Sequence, residues 1–123
     1  MCLPVMSLPN EAPHIQQGRL AEQQALNHLK AQGLKLICQN YRCPYGELDL
    51  VMQDHKSLVI VEVRFRKSDR FGSAIETINR KKQSRIIAAT KHYLYQHPVD
   101  CMIRFDVVAI TGDHLEWIQD AFQ

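Results

Sequence analysis

Nine consecutive residues, Leu58-Val59-Ile60-Val61-Glu62-Val63-Arg64-Phe65-Arg66, limit what this chain can fold into. Extended backbone puts Val59, Val61, Val63 and Phe65 on one face and Ile60, Glu62, Arg64 and Arg66 on the other. The run opens apolar on both faces, so it reads as an interior strand. Glu62 then emerges where solvent is scarce, and an ionised carboxylate there is costly without a cation or donor beside it. An ion pair of Glu62 with Arg64 or Arg66 on a wet sheet face is the competing reading.

The neighbouring segments supply the rest of a layered domain. Gln16 to Gln32 has helical periodicity with Gly33 as its stop signal, and Leu34 to Asn40 reads as a first strand. Glu47 to Gln53 and Leu58 to Arg66 form two strands around a turn at Asp54-His55-Lys56-Ser57. Lys67 to Ala74 reads as a loop, and Ile75 to Gln96 as a second helix ended by Pro98. Ile103 to Ile110 is a strand, and His114 to Phe122 a final strand or extended tail after a turn at Thr111-Gly112-Asp113. The order α-β-β-β-α-β-β points to an α/β domain, helices packed on a mixed sheet. Residues 1–14 read as a flexible leader and 15–123 as a single domain, the size a 123-residue chain supports. With no apolar run long enough to cross a bilayer and no secretory pattern, the expected setting is cytoplasmic, away from membranes.

Three further charged residues break their own element's pattern. In Gly46-Glu47-Leu48-Asp49-Leu50-Val51-Met52, Leu48, Leu50 and Met52 share one face, and Glu47 and Asp49 the other. A hairpin would bring Asp49 near Glu62, and close carboxylates repel unless a divalent cation lies between them. Oxygen ligands of this kind suit Mg²⁺ or Mn²⁺ rather than zinc. On the first helix Glu22 falls inside the apolar arc of Ala21, Ala25, Leu26 and Leu29. On the second, Lys82 falls inside the arc of Ile75, Ile78, Ile86, Ala89, Tyr93 and Leu94, with Gln83 near its far side.

The net charge of +2 hides a division. Arg64 to Lys91 holds nine Lys/Arg against two acids, hence +7, whereas the remainder holds six against eleven, hence −5. The basic segment suits phosphate contacts, with a solvated helix face as the plainer alternative. Cys2, Cys38, Cys43 and Cys101 lack CxxC spacing and read as reduced thiols, a Cys38–Cys43 pair being a minor alternative. The six histidines share no spacing and read as surface residues. Asp106 reads as a structural partner of a basic residue, with Arg104 on its own strand face; Trp117 and Phe122 read as core-capping, base stacking being the alternative.

Seven motifs in order resemble the YraN family of bacterial proteins: Gly18-Arg19-Leu20-Ala21-Glu22, Asn40-Tyr41-Arg42, Gly46-Glu47-Leu48-Asp49-Leu50, Val61-Glu62-Val63-Arg64-Phe65-Arg66, Phe71-Gly72, Lys82-Gln83 and Arg104-Phe105-Asp106-Val107-Val108. That family is similar to archaeal Holliday-junction resolvases and is placed in the PD-(D/E)xK nuclease superfamily. The resemblance implies a restriction-endonuclease-like mixed central β-sheet flanked by helices. It also implies a metal site of Glu22, Asp49 and Glu62; Glu47 and Gln83 are possible additional site residues beside it. The family's usual Val-Glu-Val-Lys reads Val61-Glu62-Val63-Arg64 here. Arginine can offset charge on a phosphate but hardly loses a proton, so Lys82 is the candidate to position water.

The function expected on these grounds is that of an endonuclease using Mg²⁺ or Mn²⁺ to hydrolyse phosphodiester bonds in DNA, ahead of RNA, branched DNA being one possible substrate. Asp49, Glu62, Arg64 and Lys82 are the expected catalytic group; Arg66, Lys67, Arg70, Arg80, Lys81 and Arg85 would follow the strands. A homodimer is a further expectation from the resemblance. The alternatives are a nucleic-acid-binding module weakened by Arg64, and a structural or protein-interaction domain.

Overall fold

The computed structural model describes residues 13–66 and 78–123. Two helices and five strands follow one another as α1 (Pro13–Ala31), β1 (Lys35–Cys43), β2 (Gly46–Asp54), β3 (Ser57–Arg66), α2 (Arg80–Gln96), β4 (Ile103–Thr111) and β5 (His114–Phe122). The strands form one sheet in sequence order. Neighbours are antiparallel except β3 and β4, which run parallel because α2 carries the chain back between them. This mixed five-stranded α/β architecture matches the expected element order. The expected leader, residues 1–14, falls almost wholly outside the described residues, as do the Lys67 to Ala74 loop and the Phe71-Gly72 motif. No helix among the described residues is long and apolar enough to cross a membrane.

One helix covers each face of the sheet. Ala21, Ala25, Leu26 and Leu29 of α1 pack on Leu50, Met52, Val59, Val61, Val108 and Ile110. Ile86, Ala89 and Tyr93 of α2 pack on Tyr41, Leu48, Val51, Ile60, Val107 and Ala109. The central strands β3 and β4 thus bury alternate side chains into both layers, which is why Leu58 to Val61 is apolar throughout. Burying each large side chain of this kind contributes about 1.5–3 kcal/mol.

Both helices begin or end where specific residues allow. After α1, Leu34 N–H donates to the Leu29 carbonyl and Gly33 N–H to that of Lys30, both at 3.0 Å. Gly33 has φ 98, so glycine is required to close this turn. The second helix starts later than Ile75: Asn79 caps it, its side-chain oxygen accepting from Lys82 N at 2.9 Å. Periodicity ran through the cap because Ile78 is buried although it precedes the helix.

Cys43 and Cys101 are free thiols, which excludes a Cys38–Cys43 pair. Cys38 is disulfide-bonded, a correction to the expectation of four reduced thiols. Two histidines also depart from the surface reading. His28 and His92 are partly buried, the first edge-on to Trp117 and the second against Tyr41 and Tyr45. Trp117 packs against the α1-side core and Phe122 is buried.

Candidate functional site

The β2–β3 ladder runs from Asp54↔Ser57 to Leu50↔Val61 and stops. Continuing the register would set Asp49 opposite Glu62. At that point the carboxylate replaces the backbone as acceptor: Val63 N–H donates to Asp49 Oδ2 at 2.9 Å. The hairpin therefore opens at the two acidic residues, and its next backbone amide is spent on one of them.

The other neighbour of β2 is irregular at the same level. Gln39 pairs with Leu50 and Tyr41 with Leu48, while Asn40 between them adopts φ 55. Asparagine tolerates this left-handed conformation better than most residues. The kink resets which face each side chain meets. Cys38 and Tyr41, three apart, both enter the α2-side core, as do Leu48 and Val51. This corrects the expectation that Leu48, Leu50 and Met52 share a face: Leu50 and Met52 meet α1, and Leu48 meets α2. Strict alternation fails because it assumes an unbroken pleat.

Charged side chains from four elements meet around this opening. Glu62 is buried at 5% exposure; Lys82 Nζ lies 3.4 Å and Arg64 Nε 3.8 Å from its Oε1. Among the described residues no Lys or Arg pairs with Asp49. Burial first, then the nearby Glu62 charge, hold the Asp49 carboxyl well above the usual range, against the pull of the Val63 amide. Glu22 approaches from α1. Burial and the charge of Glu47 raise it to about 7, partly offset by the amide of Asn40. Neither Glu22 Oε1 nor Asn40 Nδ2 completes a well-formed hydrogen bond, although both are buried, so the offset is electrostatic proximity more than a made bond. Glu47, more exposed, lies 3.7 Å from Arg42.

The remaining expected residues divide. Gln83 sits beside Lys82 on α2, but its Nε2 is committed to the Ile78 carbonyl at 3.0 Å. Arg80, Lys81 and Arg85 are exposed on the first turns of α2, and Arg66 is partly buried at the end of β3. Lys67 and Arg70 lie outside the described residues. Asn40 is a member that pattern reading missed. A polar residue inside an apolar strand was visible, but its role depends on a backbone angle that sequence does not display.

The acidic group is chemically suited to a hard divalent cation. Its donors are all oxygen, one buried carboxylate oxygen has no partner, and two of the carboxyls are pushed toward protonation by burial and by neighbouring negative charge. Among the described residues no three His, Cys, Asp or Glu side chains are gathered closely enough to hold an ion as they stand. Side-chain rotation would have to bring Asp49, Glu62 and Glu22 together, displacing Lys82 from Glu62.

Comparison with known sequences places this geometry in a family. The model of the uncharacterised protein family UPF0102 matches residues 21–110, which span Glu22, Asp49, Glu62, Arg64 and Lys82. This chain belongs to UPF0102. A UPF0102 protein of Shewanella amazonensis is 50% identical over 105 residues, covering 85% of this chain and 97% of that one. One from Psychromonas ingrahamii is 50% identical over 109 residues, covering 87% and 89%. One from a Janthinobacterium strain is 42% identical over 123 residues, covering 100% and 99%. UPF0102 is the family to which the YraN-like motifs pointed, and its relatives match this chain over nearly their whole lengths.

Proposed function

We propose that this UPF0102 protein is a metal-dependent endonuclease of the PD-(D/E)xK type, acting on DNA. The observation that carries the reading is the β2–β3 ladder ending at Leu50↔Val61, beyond which buried Asp49 feels the charges of Glu62, Glu22 and Glu47 while Lys82 reaches Glu62 from α2. Glu62 has Lys82 and Arg64 beside it, but Asp49 is buried among like charges with no Lys or Arg partner among the described residues. A fold gains nothing in stability from that, so the arrangement favours a ligand over a structural role.

In this reading Asp49 and Glu62 would hold Mg²⁺ or Mn²⁺, with Glu22 and, at the rim, Glu47 as further oxygen donors. The ion would supply Lewis acidity toward the phosphate and toward water. The chain's own residues do the rest. Val63 N–H fixes the Asp49 carboxylate in the opening. Arg64 and Lys82 set positive charge where the phosphate gains negative charge during in-line attack, and Lys82 can also orient the attacking water. Water adds to phosphorus as the ester P–O bond breaks, the water proton leaves to solvent or a carboxylate, and the departing oxygen takes up a proton. Arg80, Lys81 and Arg85, near the positive end of the α2 dipole, suit the flanking phosphates.

The binding-module alternative also has an observation in its favour. Glu62 already has Lys82 and Arg64 nearby, and Arg64 stands where the family's lysine is usual. One experiment separates the two. Purified protein with Mn²⁺ is offered branched, single-stranded and duplex DNA; cutting is expected, and Asp49→Ala or Glu62→Ala should abolish it. Salt-sensitive binding without cutting, with cleavage gained in Arg64→Lys, would establish the binding module instead. Cutting that survives both alanine substitutions would come from a contaminant and refute the assignment.

A further inference from the structure

The turn between β1 and β2 leans on α2: a Cβ at Gly46 would sit 3.6 Å from the Arg85 Cβ. Just beyond, Tyr45, Ala88, Lys91, His92 and Tyr95 line a shallow depression of about 440 Å³. Its rings are unevenly held. His92 is anchored from beneath through Nδ1 to the hydroxyl of Tyr41. Tyr41 is itself fully buried, edge-on to Tyr93 at 5.2 Å. The Tyr45 ring lies 5.9 Å from that fixed imidazole, and Tyr45 and Tyr95 remain 57% and 87% exposed. Large rings at that exposure do little for the core, and none of them takes part in the carboxylate site.

We propose that this depression is a stacking site for an unpaired nucleobase on the strand whose phosphodiester enters the Asp49 and Glu62 opening. The proposal rests on the nucleic-acid reading above and extends it to a substrate class, DNA with a single-stranded segment. Aromatic faces accept any base, but only one whose own face is not covered by a duplex neighbour. Lys91 adds a cation at the edge of the depression for the adjoining phosphate. The path to the site is continuous along α2. His92 lies ten residues from Lys82, about 15 Å of helix, and exposed Arg85 falls between them. That length corresponds to a few nucleotides of one strand.

The test measures binding by fluorescence anisotropy with the full chain, at low salt and with chelator so that nothing is cut. The probes are a labelled 12-nucleotide oligothymidine, an abasic strand of equal length and charge, and a blunt duplex. Oligothymidine should bind about tenfold tighter than the abasic strand. The Tyr45→Ala/Tyr95→Ala double variant should lose most of that advantage while binding the abasic strand unchanged, and Tyr45→Phe/Tyr95→Phe should keep it. Equal wild-type affinity for oligothymidine and abasic strand overturns the proposal without any variant. So does a folded double alanine variant that binds oligothymidine like wild type, and in either case the nuclease reading still stands. If wild type binds none of the three probes, the nucleic-acid reading itself falls, and this proposal with it.

Discussion

Glu22 carries a testable cost. Its carboxyl ionises near 4.5 in an unfolded chain and at about 7 in the fold, because burial and Glu47 disfavour the charge. The folded state thus binds this proton more tightly. Stability from Glu22 is greatest where it is protonated and declines as pH rises from about 4.5 through about 7. Asp49 shifts in the same direction for similar reasons. Glu22→Gln should therefore stabilise the protein at pH 8 by about 1–2 kcal/mol after solvent screening, with little effect at pH 4, as read by urea denaturation. Saturating Mn²⁺ should stabilise wild type more than this variant if Glu22 is a ligand. At this scale the site was legible in the sequence, since Glu22, Asp49, Glu62 and Lys82 each break the apolar pattern of their own element.

Elements were legible as periodic runs and less so where they deform. The expected strands and both helices are present, yet the opening that makes a site of β2 and β3 has no signature in alternation. It depends on Asn40 in the left-handed region and on Asp49 accepting the Val63 amide. Substituting Asn40 separates the backbone from the side chain. Asn40→Ala should cost about 1–2 kcal/mol through the disfavoured backbone angle, and Asn40→Gly should cost less. Both variants lose the amide that lowers Glu22, so Glu22 should titrate higher in each, checked by NMR. Should the alanine variant prove as stable as the glycine one, the kink would not be governed by that angle.

The whole molecule uses a similar device a second time, away from the candidate site. Asp106 is fully buried where the β4–β5 register shifts, and it accepts from Arg104 Nε and Nη2, Trp117 Nε1 and Asp120 N at 2.9–3.0 Å. Arg104 also reaches Asp54 of β2 at 3.2 Å, so one network ties three strands together. These hydrogen bonds hold the Arg104 guanidinium more firmly charged than usual. Asp106→Asn replaces one accepting oxygen with an NH2 donor that faces other donors and leaves Arg104 half paired, and should destabilise by about 3 kcal/mol in urea. Nucleic-acid affinity per folded molecule should be unchanged.

The chain's own pattern determined the layered α/β order and which acidic residues would lack solvent, because burial is encoded residue by residue in hydrophobic spacing. Only the tertiary structure decided that β2 and β3 part at Asp49 and Glu62, that Asn40 turns there, and that Tyr45 reaches α2. Those outcomes depend on which distant backbone groups satisfy one another, and spacing along a sequence carries no record of that.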